Sequence, residues 1–306
     1  MDMKQLEAFV QVAQTHSFSQ AASVLHLTQP TVSSRIASLE QELQVQLLRR
    51  PSAVLSEAGE VLYGYAREIL ELRARSLEAL GALSGQIRGT VTVAASTIPG
   101  QYFLPRLLQS FRASYPEVSF DVRLMDSAEA AGQVLSRSAE IGFTGTLPEH
   151  PKCLCRPFAD DRLVVITPNQ PRFRQYADGG FPAEQLLRES YISREPGSGT
   201  RTETEHFLRQ LGVDPDQLPT AVEVRSTESL KKMVSEGVGV AILSHSACED
   251  YCQFEKLLAF DFRGAVLRRR LYLLRRKGGL LSPAALAFYD YAKGFYHPAA
   301  DPASPE

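Results

Sequence analysis

Phe18-Ser19-Gln20-Ala21-Ala22-Ser23-Val24-Leu25-His26-Leu27-Thr28-Gln29-Pro30-Thr31-Val32-Ser33-Ser34-Arg35-Ile36 carries two apolar stripes at helical spacing with almost no chain between them. Phe18, Ala21, Ala22 and Leu25 form the first stripe, and Val32, Ile36, Leu39 and Leu43 the second. Ser17-Phe18-Ser19-Gln20 has capping-box spacing. Thr28 can cap a helix whose first turn accepts Pro30, because a first-turn amide has no intrahelical acceptor to lose. Only His26 and Leu27 separate the first stripe from that cap, so the two helices must cross steeply as a helix-turn-helix. Upstream, Leu6, Phe9, Val10 and Ala13 predict one more helix.

Downstream, Val45 to Leu55 contains Pro51 and no helical period, which suits a small hairpin or wing. Ser56 then caps a long helix with Glu57 and Glu60 in its first turn, where the helix dipole favours negative charge. Leu62, Tyr65, Ile69, Leu72, Ser76, Leu80 and Leu83 keep spacings of three or four along it. Such a stripe wants either a partner chain or a place along the protein's own core. Beyond Ser84-Gly85 and Gly89 the pattern changes to alternating strands and helices, which predicts mostly parallel sheets with ligands at strand ends. Pro298 to Glu306 reads as a frayed tail.

The outward side of the third helix offers Gln29, Pro30, Thr31, Ser33 and Arg35 near its start. Glutamine can pair bidentately with adenine and arginine with guanine, while threonine or proline carbons can meet a thymine methyl. Thr28 and the free amides of the first turn suit a phosphate oxygen, and Arg49 and Arg50 suit the backbone beside the wing. Local charge gives little help. In residues 1–58 four basic side chains (Lys4, Arg35, Arg49, Arg50) face five acidic ones (Asp2, Glu7, Glu40, Glu42, Glu57). DNA affinity must therefore come from placed arginines, helix N-termini and doubling by dimerisation.

Together with Leu39-Glu40-Gln41-Glu42-Leu43, Leu47-Leu48-Arg49-Arg50 and Ser56-Glu57-Ala58-Gly59, the opening stretch resembles the N-terminal signature of LysR-type transcription regulators. Two positions depart from it: Ser34 stands where a basic residue is frequent, and the wing is Pro51-Ser52-Ala53-Val54 rather than basic. The resemblance continues to about residue 296. It implies a winged helix-turn-helix (1–58), a linker and dimerisation helix (59–88), and a two-lobed α/β effector domain (89–300) similar to periplasmic solute-binding proteins. Lobe one would hold 89–160 plus 266–300 and lobe two 161–265, with crossovers near Asp160–Leu163 and Phe262–Arg268.

A ligand between such lobes would meet loops at strand ends. Ser96 and Thr97 end a strand before a helix, Ser198 and Thr200 open another, and Thr144 follows a third strand. Their hydroxyls and free amides suit a small anion, or else they are simply helix caps. In the sulfur-metabolism branch of the family, residues matching Ser96 and the 198–200 loop contact a sulfate-like effector, although Ile98 replaces a polar residue of that pattern.

The resemblance implies a cytoplasmic, promoter-binding homodimer, or dimer of dimers, with an anionic effector and no cofactor or membrane partner. The four cysteines, in Cys153-Leu154-Cys155 and Cys248-Glu249-Asp250-Tyr251-Cys252, leave a redox-sensing regulator or a zinc site as alternatives to inert thiols. Arg268-Arg269-Arg270 and Arg275-Arg276-Lys277 read as a solvated edge or a second DNA contact.

Composition bounds the rivals. The 306 residues, 44% hydrophobic and 22% charged with a net charge of −2, fit two or three globular units with no overall basic excess. A solute-binding protein would need a secretory leader, and Met1-Asp2-Met3-Lys4-Gln5 does not start one. An enzyme is disfavoured because G-x-S-x-G, phosphate-loop, dinucleotide and H-E-x-x-H motifs are all missing.

Overall fold

The computed structural model describes residues 1–49, 52–82 and 87–296. The chain divides into two compact units, Met1–Gln86 and Ile87–Glu306.

The first unit contains α1 (Met3–Thr15), α2 (Phe18–Val24), α3 (Gln29–Leu43), the short strands β1 (Leu48–Arg49) and β2 (Val54–Leu55), and α4 (Glu57–Ala82). Leu6, Phe9, Val12, Ala21, Val32, Ile36 and Leu39 are buried together, so the apolar stripes read from the sequence converge on one core. Ser17 caps α2 by accepting from the Gln20 amide, and Thr28 caps α3 by accepting from the Thr31 amide. The short turn closes because His26 adopts a left-handed conformation (φ 52°), which costs a residue with a Cβ about 1–2 kcal/mol.

Glu40 Oε1 accepts from the Leu47 and Leu48 amides and so ties the antiparallel β1–β2 wing to the end of α3. Ser56 Oγ accepts from the Gly59 amide and donates to the Gln46 carbonyl. Gly59 has to be glycine, since a Cβ there would stand 2.1 Å from the Leu47 carbonyl oxygen.

Leu62 and Ile69 of α4 pack on the core of this unit. Replacing them would therefore damage the headpiece itself. The large apolar side chains that α4 leaves exposed, among the described residues, are Val61, Tyr65, Leu72, Leu77 and Leu80. Leu83 of the sequence stripe lies outside the described residues.

The second unit opens with β3 (Gly89–Ser96), a π turn at Pro99–Phe103, α5 (Leu104–Ser114), β4 (Val118–Met125), α6 (Ser127–Leu135) and β5 (Ile141–Thr144). There follow β6 (Cys153–Pro168), α7 (Pro171–Arg174), β7 (Tyr191–Arg194), α8 (Gly199–Gln210), β8 (Thr220–Val224) and α9 (Thr227–Ser235). The unit closes with β9 (Ala241–Ser244), α10 (His245–Gln253), β10 (Leu257–Phe260), β11 (Leu267–Arg276) and α11 (Pro283–Phe295).

β3 pairs in parallel with β4 and β5, as alternation predicts. The main sheet is nevertheless mixed, which corrects the expectation of mostly parallel sheets. β6 runs antiparallel to β9, β10 and β11, and β11 runs antiparallel to β5. The reason is length. β6 spans 16 residues, ~50 Å of extended chain, and β11 returns beside it from Leu267↔Leu163 to Arg276↔Cys153. These two strands serve both lobes, and a pair running out and back must be antiparallel. β3–β5 with α5, α6 and α11 make one lobe, and β7–β10 with α8–α10 make the other. An apolar core lies between α5, α11 and the sheet around Phe111, Phe143, Phe158 and Phe288, and a second one centres on Phe173, Phe181 and Leu208.

Candidate nucleic-acid interface and effector cleft

In the first unit, burial of Val32, Ile36 and Leu39 turns the other side of α3 outward. Gln29 and Pro30 are exposed, and Thr31, Ser33 and Arg35 are half-buried beside them. Ser19 Oγ donates to Gln29 Oε1 at 3.1 Å, which steadies the amide and leaves its NH2 free. Thr28 Oγ1 lies 2.8 Å from Thr31 Oγ1 at the helix start. Arg49 is exposed at the end of β1, while Arg50 lies outside the described residues. The presented set is a helix end with an amide, hydroxyls and a guanidinium, the groups that read base edges and hold phosphates.

In the second unit a small cavity, of about 20 Å³, lies between the lobes. Ser96 and Thr97 line it from the end of β3, and Ser198 and Thr200 from the start of α8. Neither Ser96 nor Ser198 spends its hydroxyl as a helix cap: Ser96 Oγ accepts from the Gly145 amide at 3.1 Å, and Ser198 makes no side-chain capping bond. Thr144 stands apart, because its buried hydroxyl donates to the Thr146 carbonyl at 2.8 Å and it does not line the cavity.

Five lining residues were not legible as site residues. Ser127 opens α6 and is 5% exposed, yet its Oγ has no hydrogen-bond partner, because Asp126 caps the helix instead. Asp126 accepts from the Glu129 amide through Oδ1 at 2.7 Å. Arg269, read as part of a solvated edge, is buried; Nε donates to Asp161 Oδ2 at 2.8 Å and Nη1 to Thr200 Oγ1 at 3.3 Å. Asp161 is the register partner of Arg269 across β6 and β11, and it also accepts from Ser244 Oγ at 2.6 Å. A buried ion pair therefore sits on the two strands shared by the lobes. Arg194 and Glu195 face the same cavity as a bidentate pair, at 2.8 and 2.9 Å.

The cysteines lie elsewhere. Cys155 Sγ donates to Cys153 Sγ at 3.6 Å on one face of β6, which lowers the pKa of Cys153 and raises that of Cys155. Cys248 is buried on α10, and a hydrogen bond with Cys252 is the main reason its pKa is raised. Among the described residues no group of three metal-ligating side chains converges, and no helix is long and apolar enough to cross a membrane.

A helix-turn-helix headpiece followed by a two-lobed α/β domain with a polar cleft defines a DNA-binding transcription regulator with an effector-binding domain. The description of bacterial regulatory helix-turn-helix proteins of the LysR family matches residues 3–60, and that of the LysR substrate-binding domain matches residues 84–295. The chain belongs to the LysR family. It is 31% identical over 294 residues to the RuBisCO operon transcriptional regulator of Allochromatium vinosum, covering 95% of each chain. Full-length CbnR complexed with its target DNA has the same fold, with a TM-score of 0.69 at 23% identity over 96% of this chain and 99% of that one. The regulatory domain of CcmR from Synechocystis PCC6803, in complex with 2-PG, superposes with a TM-score of 0.61 at 26% identity, over 69% of this chain and all of that one.

Proposed function

We propose that this regulator reads its promoter through Thr28, Gln29, Pro30, Thr31, Ser33 and Arg35, holds the backbone through Arg49 and Arg50, and answers to a small anion. The anion is held between the lobes of the second unit by Ser96, Thr97, Ser198 and Thr200. The protein acts in the cytoplasm as a homodimer, or a dimer of dimers, through α4. Hydroxyls from both lobes meeting in one cavity without capping a helix is the observation that carries the effector reading. The relative that serves the RuBisCO operon supports a metabolic operon as the target, and the CcmR domain bound to 2-PG supports a small effector. A ligand that bridges the lobes can shift their arrangement only by binding one arrangement better, and it changes DNA affinity or bending by that difference.

The test is gel-shift titration on promoter fragments selected from the genome with the full-length protein. Gln29→Ala and Arg35→Ala should each cost ~1–3 kcal/mol on the selected site and far less on random DNA. Equal loss on both DNAs would make them phosphate anchors rather than base readers.

A further inference from the structure

Two buried donors in the cleft lack hydrogen-bond partners. Ser127 Oγ has none, and an added Cβ on Gly199 of the opposite lobe would stand 3.0 Å from it, so the hydroxyl faces straight across the gap. Arg269 Nη2 lies 2.8 Å from Asp161 Oδ2 as an ion pair but makes no hydrogen bond. Buried donors left in this state cost a folded protein stability, and a site that keeps two such residues on its lining is built for an acceptor that arrives later.

The charges add a second requirement. Arg194 is matched by Glu195 and Arg269 by Asp161, so the guanidinium charges lining the cavity are already balanced. Asp126 is the remaining charge on the lining. Its Oδ1 is used by the Glu129 amide, and its Oδ2 makes no hydrogen bond and lies 3.7 Å from where a Cβ on Gly197 of the other lobe would stand. A bare oxyanion entering here would satisfy Ser127 and Arg269 while lying against an unmatched carboxylate. That repulsion is only partly screened in a cleft whose other lining residues are largely buried.

From these three groups we infer that the effector is a small organic anion that also carries a hydroxyl or ammonium donor. Its acceptor end is held by Ser127 and Arg269 and its donor end by Asp126. A fully ionised oxyanion such as sulfate, or a plain carboxylate, lacks the second half. This inference rests on the reading of the cleft as the effector site, and it names the chemical class which that site selects.

Calorimetry on the full-length protein with matched probes tests it: L-malate against succinate, glycolate against acetate, and sulfate. The hydroxylated member of at least one pair should bind about tenfold tighter than its plain partner, because a site that hydrogen-bonds a hydroxyl rejects the analogue without it. Asp126→Asn keeps the α6 cap, since asparagine caps as well as aspartate, and should erase that preference. Ser127→Ala removes a group with no protein partner, so the melting temperature should hold while both members of the pair weaken alike. Succinate or sulfate binding as tightly as malate, and weakened by Ser127→Ala, would overturn the donor requirement and leave the effector cleft standing. Binding that ignores Ser127→Ala, Asp126→Asn and Thr200→Ala would overturn both. Failure of all five probes to bind would overturn the proposed class, while the gel-shift titrations judge the DNA reading separately.

Discussion

Single residues carry their chemistry through their neighbours, and the thiols show it. Cys155 donates to Cys153 across 3.6 Å, so the Cys153 thiolate is stabilised by a hydrogen bond. That lowers the pKa of Cys153, while Cys155, which must give up its donated proton to ionise, is raised. Since the thiolate is the nucleophile, iodoacetamide should label Cys153 ahead of Cys155. Its rate should rise at a lower pH than that of an ordinary thiol. Cys155→Ala should move that rise toward higher pH, read by mass spectrometry of the labelled peptides. An unmoved profile would show that the pair does not interact in solution. Residues two apart on a strand share a face, but nothing in the sequence tells which thiol donates.

At the scale of elements, the sequence was most legible where structure is local. Caps, Pro30 and the stripes of α2 and α3 lie within a few residues of what they control, and the helices run as those signals require. Strands that cross between lobes were not legible in the same way. β6 includes Pro157, Asp160, Asp161 and Arg162, which break any apolar alternation, and its partner β11 lies about a hundred residues away. Arg269 was hidden for a related reason. A run of three arginines looks solvated, yet successive strand residues face opposite sides, so Arg268 is exposed and Arg269 buried. Asp161 between Asp160 and Arg162 on the paired strand was the available signal, but it needed the register to be read. Ser127 was overlooked because Asp126 beside it takes the capping role.

The stripe on α4 likewise divides in a way that spacing alone does not reveal. Leu62 and Ile69 serve the headpiece, whereas Leu72 and Leu80 are 47% and 65% exposed with no cover from their own unit. If a second copy covers them, Leu72→Glu with Leu80→Glu should give monomers in sedimentation at unchanged headpiece stability. Dimers that survive both changes would move the interface elsewhere.

For the whole molecule, the Asp161–Arg269 pair is the point on which the two lobes agree. It joins β6 to β11, and through Ser244 and Thr200 it reaches β9 and α8. Asp161→Asn leaves a buried guanidinium without its countercharge, a loss of about 3–5 kcal/mol. In calorimetric melting that cost should fall on the transition of the second unit and leave that of the first in place, because the two units have separate cores. A single transition displaced as a whole would mean that the units unfold together.

The tight seat of the wing against the start of α4 has a mechanical meaning. The helix is 26 residues long, ~39 Å, and its first turn is clamped by Ser56 to the Gln46 carbonyl, with Gly59 bringing it against Leu47. A rod held so firmly at one end is a lever, and the wing is its fulcrum. Sideways pull at the far end reaches Arg49 as a small, stiff rotation rather than being lost in a flexible joint.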